Sequence, residues 1–442
     1  MDFEGLKKLM RDNGIVGCGG AGFPSYAKLN NNVNTLIVNC AECEPLLRLH
    51  RQLIEVRAKE IVQTAEFIAE TIGAKRVIIG IKAAYKKAIA RLSENLDKFP
   101  LTKLHLLPEV YPAGDEIVLI YETTGRVVRP GKLPASVNVL VYNVETIYNV
   151  YRALHGHPVT HKFVTITGEV NKPETFYAPI GSKIFGLVKR SGGQKIEDPA
   201  FLIGGPMMGT LCTDQDVVTK TTNAVIVLPK NHPVVLRKQT KARVDLKRAM
   251  AACSQCNYCT DMCPRHLLGH PINPAEFMRV VSNQDSHNVK PYLDARFCSA
   301  CGVCEAYACH QGLSPRMLLT VMKSRFRAAG VKYPEYEGDV IPSKDMDLRR
   351  VPVKRLVARL DLAKYMDPAP IYEEPINAKE VDIKLLQHIG VPAKPVVKVN
   401  DLVDEGDIIA SAQEESLSVN IHASIKGIVT AVTSTYIRIR KQ

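Results

Sequence analysis

At 442 residues, with 46% hydrophobic and 23% charged positions, the chain has ordinary globular composition and is too long for a single hydrophobic core. No apolar run approaches the roughly 20 residues a membrane span needs, and the opening Met1-Asp-Phe-Glu-Gly-Leu-Lys-Lys reads as an amphipathic helix, not a secretory signal. The net charge of +13 (pI ≈ 9.1) is scattered, Trp is absent and no nucleic-acid-binding motif occurs; this argues against nucleic acid and leaves an anionic cofactor or an acidic protein as partner.

Residues 1–158 read as alternating strands and helices, which predicts a parallel, doubly wound, Rossmann-like sheet. The strands are expected at Thr35–Asn39, Arg76–Ile81 and Lys103–Leu107. Helices are expected from Arg51 to Ile72, stopped by Gly73, and from Lys82 to Leu96. Ahead of the first strand runs Gly17-Cys18-Gly19-Gly20-Ala21-Gly22-Phe23-Pro24, followed by Lys28. Glycines so dense let a backbone approach a ligand and aim N–H groups at a phosphate, although a bare turn has the same composition. At the carboxyl edge of the sheet, where ligands of such folds bind, lie Asn39-Cys-Ala-Glu42-Cys-Glu44-Pro45 and Tyr111-Pro-Ala-Gly114-Asp115-Glu116.

Residues 159–228 change character: an alternating strand, a turn, a short helix from Ile184 and Gly204-Gly-Pro-Met-Met-Gly209 suggest a β-grasp unit. Residues 240–330 hold Cys253, Cys256, Cys259 and Cys263-Pro264, then Cys298, Cys301, Cys304 and Cys309. Three thiolates at such short steps, closed by a fourth and done twice, describe two [4Fe–4S] clusters on a ferredoxin-like helical module. Zinc would be satisfied by two pairs per site. Disulfides are disfavoured by the absent signal, which with reduced thiols points to the cytoplasm. In two-cluster ferredoxins the last Cys of each run serves the other cluster, so Cys309 is assigned with Cys253, Cys256 and Cys259, and Cys263 with Cys298, Cys301 and Cys304. The second run departs from the usual form by one extra residue before Cys309 and by His310 in place of proline. Residues 331–384, rich in Pro, Lys and acidic side chains, read as a linker, and 385–442 as a small barrel-like sandwich.

These motifs resemble the flavin-binding subunit of respiratory complex I and the RnfC component of the Rnf complex. The shared patterns are G-x-G-G-A-G-F-P-x-x-x-K at Gly17–Lys28, N-x-x-E-x-E-P at Asn39–Pro45, Y-x-x-G-E/D-E at Tyr111–Glu116 and N-V-E-T at Asn143–Thr146. Along its whole length the chain resembles more closely the cobalamin reductases of propanediol-utilisation microcompartments, relatives of RnfC, including the placement of the barrel-sandwich hybrid domain after the cysteines. The resemblance implies a multidomain α/β protein with an FMN domain, a soluble-ligand-binding β-grasp (SLBB) domain, the cluster module and that hybrid domain. It implies FMN held by Gly17, Gly19, Gly20 and Lys28, with Asn39, Glu42, Tyr111, Gly114, Asp115 and Asn143 around the ring and ribityl chain. Glu44, Glu116 and Phe23 would shape the NADH site.

The implied work is to take hydride from NADH on FMN and pass single electrons through the clusters to cob(III)alamin and cob(II)alamin, for an adenosyltransferase serving diol dehydratase inside a microcompartment with its shell proteins. A protein acceptor such as ferredoxin, as for an Rnf-like module, and a wiring module without NADH use are the other readings. Hydride transfer requires no general acid, base or nucleophile. Cys40-Ala41 stands where complex I has Ala-Asp, and Cys18, Cys40 and Cys43 fall on the flavin loops; they read as small buried spacers, with a third cluster or a redox thiol as the alternatives. Cys212 reads as inert, and His50, His310 and His388 as core or surface residues. Gln413–Leu417 fills the candidate hairpin tip of the tail without a flanked lysine, so the tail reads as structural or docking.

Overall fold

The computed structural model describes residues 1–442. Its first unit carries four parallel strands in the order β3-β2-β1-β5, namely β1 (Thr35–Cys40), β2 (Arg76–Lys82), β3 (Thr102–Leu107) and β5 (Val139–Asn143); a short β4 (Val110–Tyr111) lies outside this sheet. Successive side chains on a strand face opposite ways. Leu36, Val38 and Cys40 therefore enter one core with the helices α1 (Phe3–Asp12), α2 (Leu49–Thr71) and α3 (Lys86–Leu96), whereas Ile37 enters another beneath α4 (Glu116–Thr124). The first core also takes Val144, Ile147 and Val150 of α5 (Val144–Leu154). α3 begins later than the sequence suggests because Lys82 extends β2, and Ala83–Tyr85 turns the chain before the helix starts.

Strand order fixes where a ligand can sit. From β1 the chain winds to β2 on one side, and it later returns to β5 on the other. The crevice outside the carboxyl ends of β1 and β5 is thus the topological switch point. Their parallel register sets Asn39 beside Asn143, and both strands, otherwise buried, become half-exposed at those residues.

The second unit is a six-stranded mixed sheet built from β6 (His161–Gly168), β7 (Glu174–Pro179), β8 (Pro199–Ile203), β9 (Thr210–Cys212), β10 (Ala224–Pro229) and a late strand, β12 (Ile371–Pro375), in the order β12-β7-β6-β10-β8-β9. Helices around the later cysteines enclose a small core of Ala249, Phe277, Met278, Ala295, Leu313, Leu318 and Leu319.

The stretch 331–384, expected as a linker, is instead a strap. Its β11 (Val351–Pro352) pairs antiparallel with β4, β12 pairs parallel with β7, and β13 (Glu380–Lys384) joins the tail sheet through Tyr436–Arg440. Its composition is that of a linker because β12 completes another unit's edge with backbone groups and leaves its own side chains largely exposed.

The tail forms two small sheets and lies against the first unit. The Gln413 carbonyl accepts from Arg11 Nη2 at 2.7 Å, the Ser416 carbonyl from Tyr26 Oη at 3.3 Å, and Ile389 N–H donates to Gly22 O at 3.2 Å. The tip read as a candidate hairpin end is therefore docked. No helix is long and apolar enough to cross a membrane.

Candidate flavin and iron–sulfur sites

The glycine-rich loop is folded back on itself, since Gly17 N–H donates to Phe23 O at 2.9 Å. Thr146 Oγ1 on the first turn of α5 accepts from Cys18 N–H at 3.1 Å, and Asn223 Nδ2 of the second unit donates to Cys18 O at 3.0 Å. Asn223 is fixed in turn by Lys162, whose Nζ donates to Asn223 Oδ1 at 2.7 Å and is ion-paired with buried Glu145. The loop therefore lies across the α5 N-terminus, at the switch point. Gly19 and Gly20 are exposed there. A methyl group at Gly19 would stand 2.7 Å from Asn143 Nδ2; at Gly20 it would meet nothing within 4 Å.

Opposite the loop, Asn39 Nδ2 donates to Gly114 O at 2.9 Å, and a methyl on Gly114 would lie 2.3 Å from Ala41 O. Lys28 Nζ meets Glu116 Oε1 at 2.8 Å, both half-buried. Asn143 caps α5 through Glu145 N–H at 2.9 Å, and its amide nitrogen lies 3.4 Å from His50 Nε2. His50, which reads in the sequence as a core or surface residue, is buried between Asn143 and Glu42, its Nδ1 3.9 Å from Glu42 Oε1.

Glu42 is buried, with Oε2 accepting from His50 N–H at 3.2 Å and Oε1 without a partner. Burial pushes its carboxyl up to about 7, and burial together with Lys162 pushes His50 down to about 3. Both side chains are thereby biased toward neutrality. Because Glu42 holds its proton more tightly folded than unfolded, its contribution falls as pH rises from about 4.5 to about 7. His50 acts oppositely, adding stability as pH rises from about 3 to 6.5. In flavin-free protein, E42Q should remove the falling limb, a difference from wild type of roughly 3 kcal/mol by pH 7, read from urea unfolding across pH.

Three of the expected flavin and nicotinamide residues reach into other units. Tyr111 Oη donates to Cys301 O at 2.6 Å. Asp115 caps α4 through Ile117 and Val118 N–H at 3.0 and 3.2 Å and pairs with Arg265 Nη2 at 2.9 Å. Glu44, expected at the nicotinamide site, accepts from Met207 and Met208 N–H at 2.9 and 2.8 Å, so its carboxylate is committed to the β-grasp loop. Arg265, Met207 and Lys162 escape a reading of the sequence; only the Gly-Gly-Pro-Met-Met-Gly run marks one of them.

The thiols gather in two sets that cross the two runs. Cys253, Cys256, Cys259 and Cys309 line one pocket with His310 and Gln311. Burial, then Cys309, Cys256 and Cys253, push the Cys259 thiol up to about 12. Burial raises Cys304 as well, followed by Glu305, Cys298, Cys301 and Cys263. Cys263, Cys301 and Cys304 are buried, whereas Cys256 is exposed. No three ligating side chains close as tightly as a single ion would need. The all-sulfur donor sets fit thiolate-held metal centres: thiols gathered in this way disfavour one another's charge until cations compensate it.

The other four cysteines lie outside both sets. Burial pushes Cys18 and Cys43 up to about 12 and Cys40 further, and Cys212 up to about 12, so none is a ready thiolate.

Four family models match the chain. Residues 10–152 match the Nuo51 FMN-binding domain, 163–211 the SLBB domain, 252–314 the 4Fe-4S dicluster domain and 363–442 the RnfC barrel sandwich hybrid domain. A protein of Salmonella typhimurium named cobalamin reductase PduS is 40% identical over 437 residues, 98% of this chain and 96% of that protein. Its namesake in Citrobacter freundii is 40% identical over 441 residues, 99% of this chain and 97% of that protein. The C component of the ion-translocating oxidoreductase complex of Edwardsiella ictaluri is 35% identical over 262 residues, 58% of this chain and 31% of that protein.

Proposed function

Since the chain belongs to the cobalamin reductase PduS family, we propose that it is an NADH-dependent oxidoreductase that reduces cob(III)alamin and cob(II)alamin through one FMN and two [4Fe–4S] clusters. The single observation that carries the reading is Tyr111. It leaves the flavin loops at β4 and its hydroxyl ends on the carbonyl of Cys301, inside the buried thiol set. Flavin and iron–sulfur groups, when bound, turn a two-electron hydride into single electrons and carry them.

The protein's own part is placement. Gly19 and Gly20 offer N–H groups, and Lys28 an ammonium, to a phosphate at the α5 N-terminus; Gly17, expected to share in this, instead spends its N–H on Phe23 O and shapes the loop. Asn39, Asn143 and the free Oε1 of Glu42 supply polar contacts at the switch point. Glu116, holding Lys28, and Phe23 border the side from which a nicotinamide would approach. Buried Cys263, Cys301 and Cys304 with half-buried Cys298 form the inner relay, and Cys253, Cys256, Cys259 and Cys309 the outer one, open to the surface at Cys256.

The corrinoid product suits an adenosyltransferase that rebuilds adenosylcobalamin for a diol dehydratase, within a microcompartment of the cytoplasm whose shell proteins are neighbours. Anaerobic protein containing FMN and iron should bleach with NADH and yield cob(II)alamin, and cob(I)alamin trapped by coupled adenosylation. Bleaching with reduction of ferredoxin but not of corrinoid would overturn the corrinoid assignment in favour of a protein acceptor.

A further inference from the structure

A group of charged side chains that the flavin and cysteine motifs do not account for is packed on the inner thiol loop. Glu305 follows Cys304 directly in a π-helical turn, Cys304–Ala308, and its side chain is 2% exposed. Arg316, near the start of the helix Pro315–Ala328, meets Glu305 Oε1 through Nη2 at 2.6 Å and Nε at 2.8 Å; Glu305 Oε2 accepts from Met317 N–H at 3.3 Å. The same guanidinium donates from Nη1 to Met207 O at 3.1 Å.

The side chains of Arg316 and Met207 both pack against the loop between Cys301 and Cys304. A methyl on Gly302 would stand 3.5 Å from Met207 Cε and 3.6 Å from Arg316 Cδ. Met207 is itself gripped from two sides: its N–H by Glu44, its carbonyl by Arg316 and, at 3.3 Å, by Lys238 Nζ, which also donates to Gly209 O at 2.6 Å. The charged groups at this loop and its strut are Glu44, Lys238, Arg237, Arg316 and Glu305, with Lys323, Arg265 and Asp115 beside the inner thiols from other sides. Burial opposes the Arg316 charge; Glu305 and then Cys304 more than restore it.

On the reading that the inner four thiols hold a cluster, we infer that the Arg316–Glu305 pair sets that cluster's reduction potential, with the β-grasp loop at Met207 as the strut that fixes the pair against it. Each electron entering the inner set adds one negative charge and breaks no bond. A fixed guanidinium beside it favours that state and a fixed carboxylate disfavours it. Both are positioning residues, since neither is a ligand.

The test is a redox titration of the anaerobic full chain, following both clusters by electron paramagnetic resonance. R316Q, which leaves Glu305 unopposed, should lower one of two midpoint potentials; E305Q, which leaves Arg316 unopposed, should raise the same one. R316K should return most of the shift. A tenfold change in the reduced-to-oxidised ratio at fixed poise corresponds to about 59 mV for one electron, and each neutral variant should reach a change of that order while the second midpoint stays in place. Shifts of the same sign, shifts of both clusters or no shift would overturn the inference. Should R316Q lose iron, the rise in E305Q against wild type still carries the sign. Absence of any second cluster in the wild type would instead sink the cofactor reading on which it rests.

Discussion

Replacing Cys263 by serine should remove about four of about eight irons, and adding Cys298→Ser should remove no more. Combining Cys263→Ser with Cys253→Ser should instead strip nearly all iron, although Cys263 and Cys253 belong to one sequence run. The reason is spatial: burial pushes the Cys263 thiol up to about 11, and the thiol that adds to it is Cys298, whereas Cys253 shares its pocket with Cys309. Iron and acid-labile sulfide analysis of single and double variants decides the matter without any activity assay. Function should divide in the same way. In Cys263→Ser protein NADH should still bleach the flavin while corrinoid reduction falls by two orders of magnitude or more, because the inner relay beside Tyr111 is gone. If Cys263→Ser and Cys253→Ser proved equivalent, and Cys298→Ser additive to both, each run would hold its own cluster and the inner and outer order proposed above would fail.

Gly114→Ala should abolish FMN binding while leaving iron content unchanged. The added methyl would stand 2.3 Å from the Ala41 carbonyl, a backbone atom that cannot swing aside. Relief requires parting the two loops that Asn39 ties together through Gly114 O, and with them the wall of the switch-point crevice. Overpacking of this kind costs roughly 1–3 kcal/mol, enough to distort a site without unfolding a chain whose thiol sets lie in another unit. Gly20→Ala is the control. Its methyl meets no protein atom within 4 Å, so thermal stability of flavin-free protein should match wild type, and any loss of FMN would report a ligand close to that backbone. Flavin released by acid and quantified by fluorescence, alongside iron, measures both. Full FMN occupancy in Gly114→Ala would remove the Tyr111–Glu116 loop from the site.

What can be read from the residues alone is whatever is local. The cysteine spacing, the dense glycines before β1 and the alternation of strand with helix each lie within a few dozen positions, and each is a direct consequence of ligand or backbone geometry. Strand β5 carries a signal, Val-Leu-Val-Tyr ending in the capping Asn143, but it stands out only as part of a motif; taken as a strand, it places the switch point. The interactions that join the units are out of reach. Tyr111 with Cys301, Asp115 with Arg265, Glu44 with Met207 and Glu145 with Lys162 are set by how the units pack, and nothing in either segment names its partner in the other. The strap passes for a linker for the same reason. Strand β12 has the sequence Ile-Tyr-Glu-Glu-Pro, with no buried face to leave a pattern, because its contribution is a ladder on the edge of β7.

That late ladder bears on how the molecule is made. On the ribosome β4 and the β7 edge emerge long before Val351–Pro352 and Ile371–Pro375 exist to cover them. Unpaired edges template association with other chains, and nascent multidomain proteins are most prone to aggregate while such edges wait. Translation that stops short of residue 351 therefore releases a polypeptide with both of these hydrogen-bonding borders open, and its sulfur ligands complete.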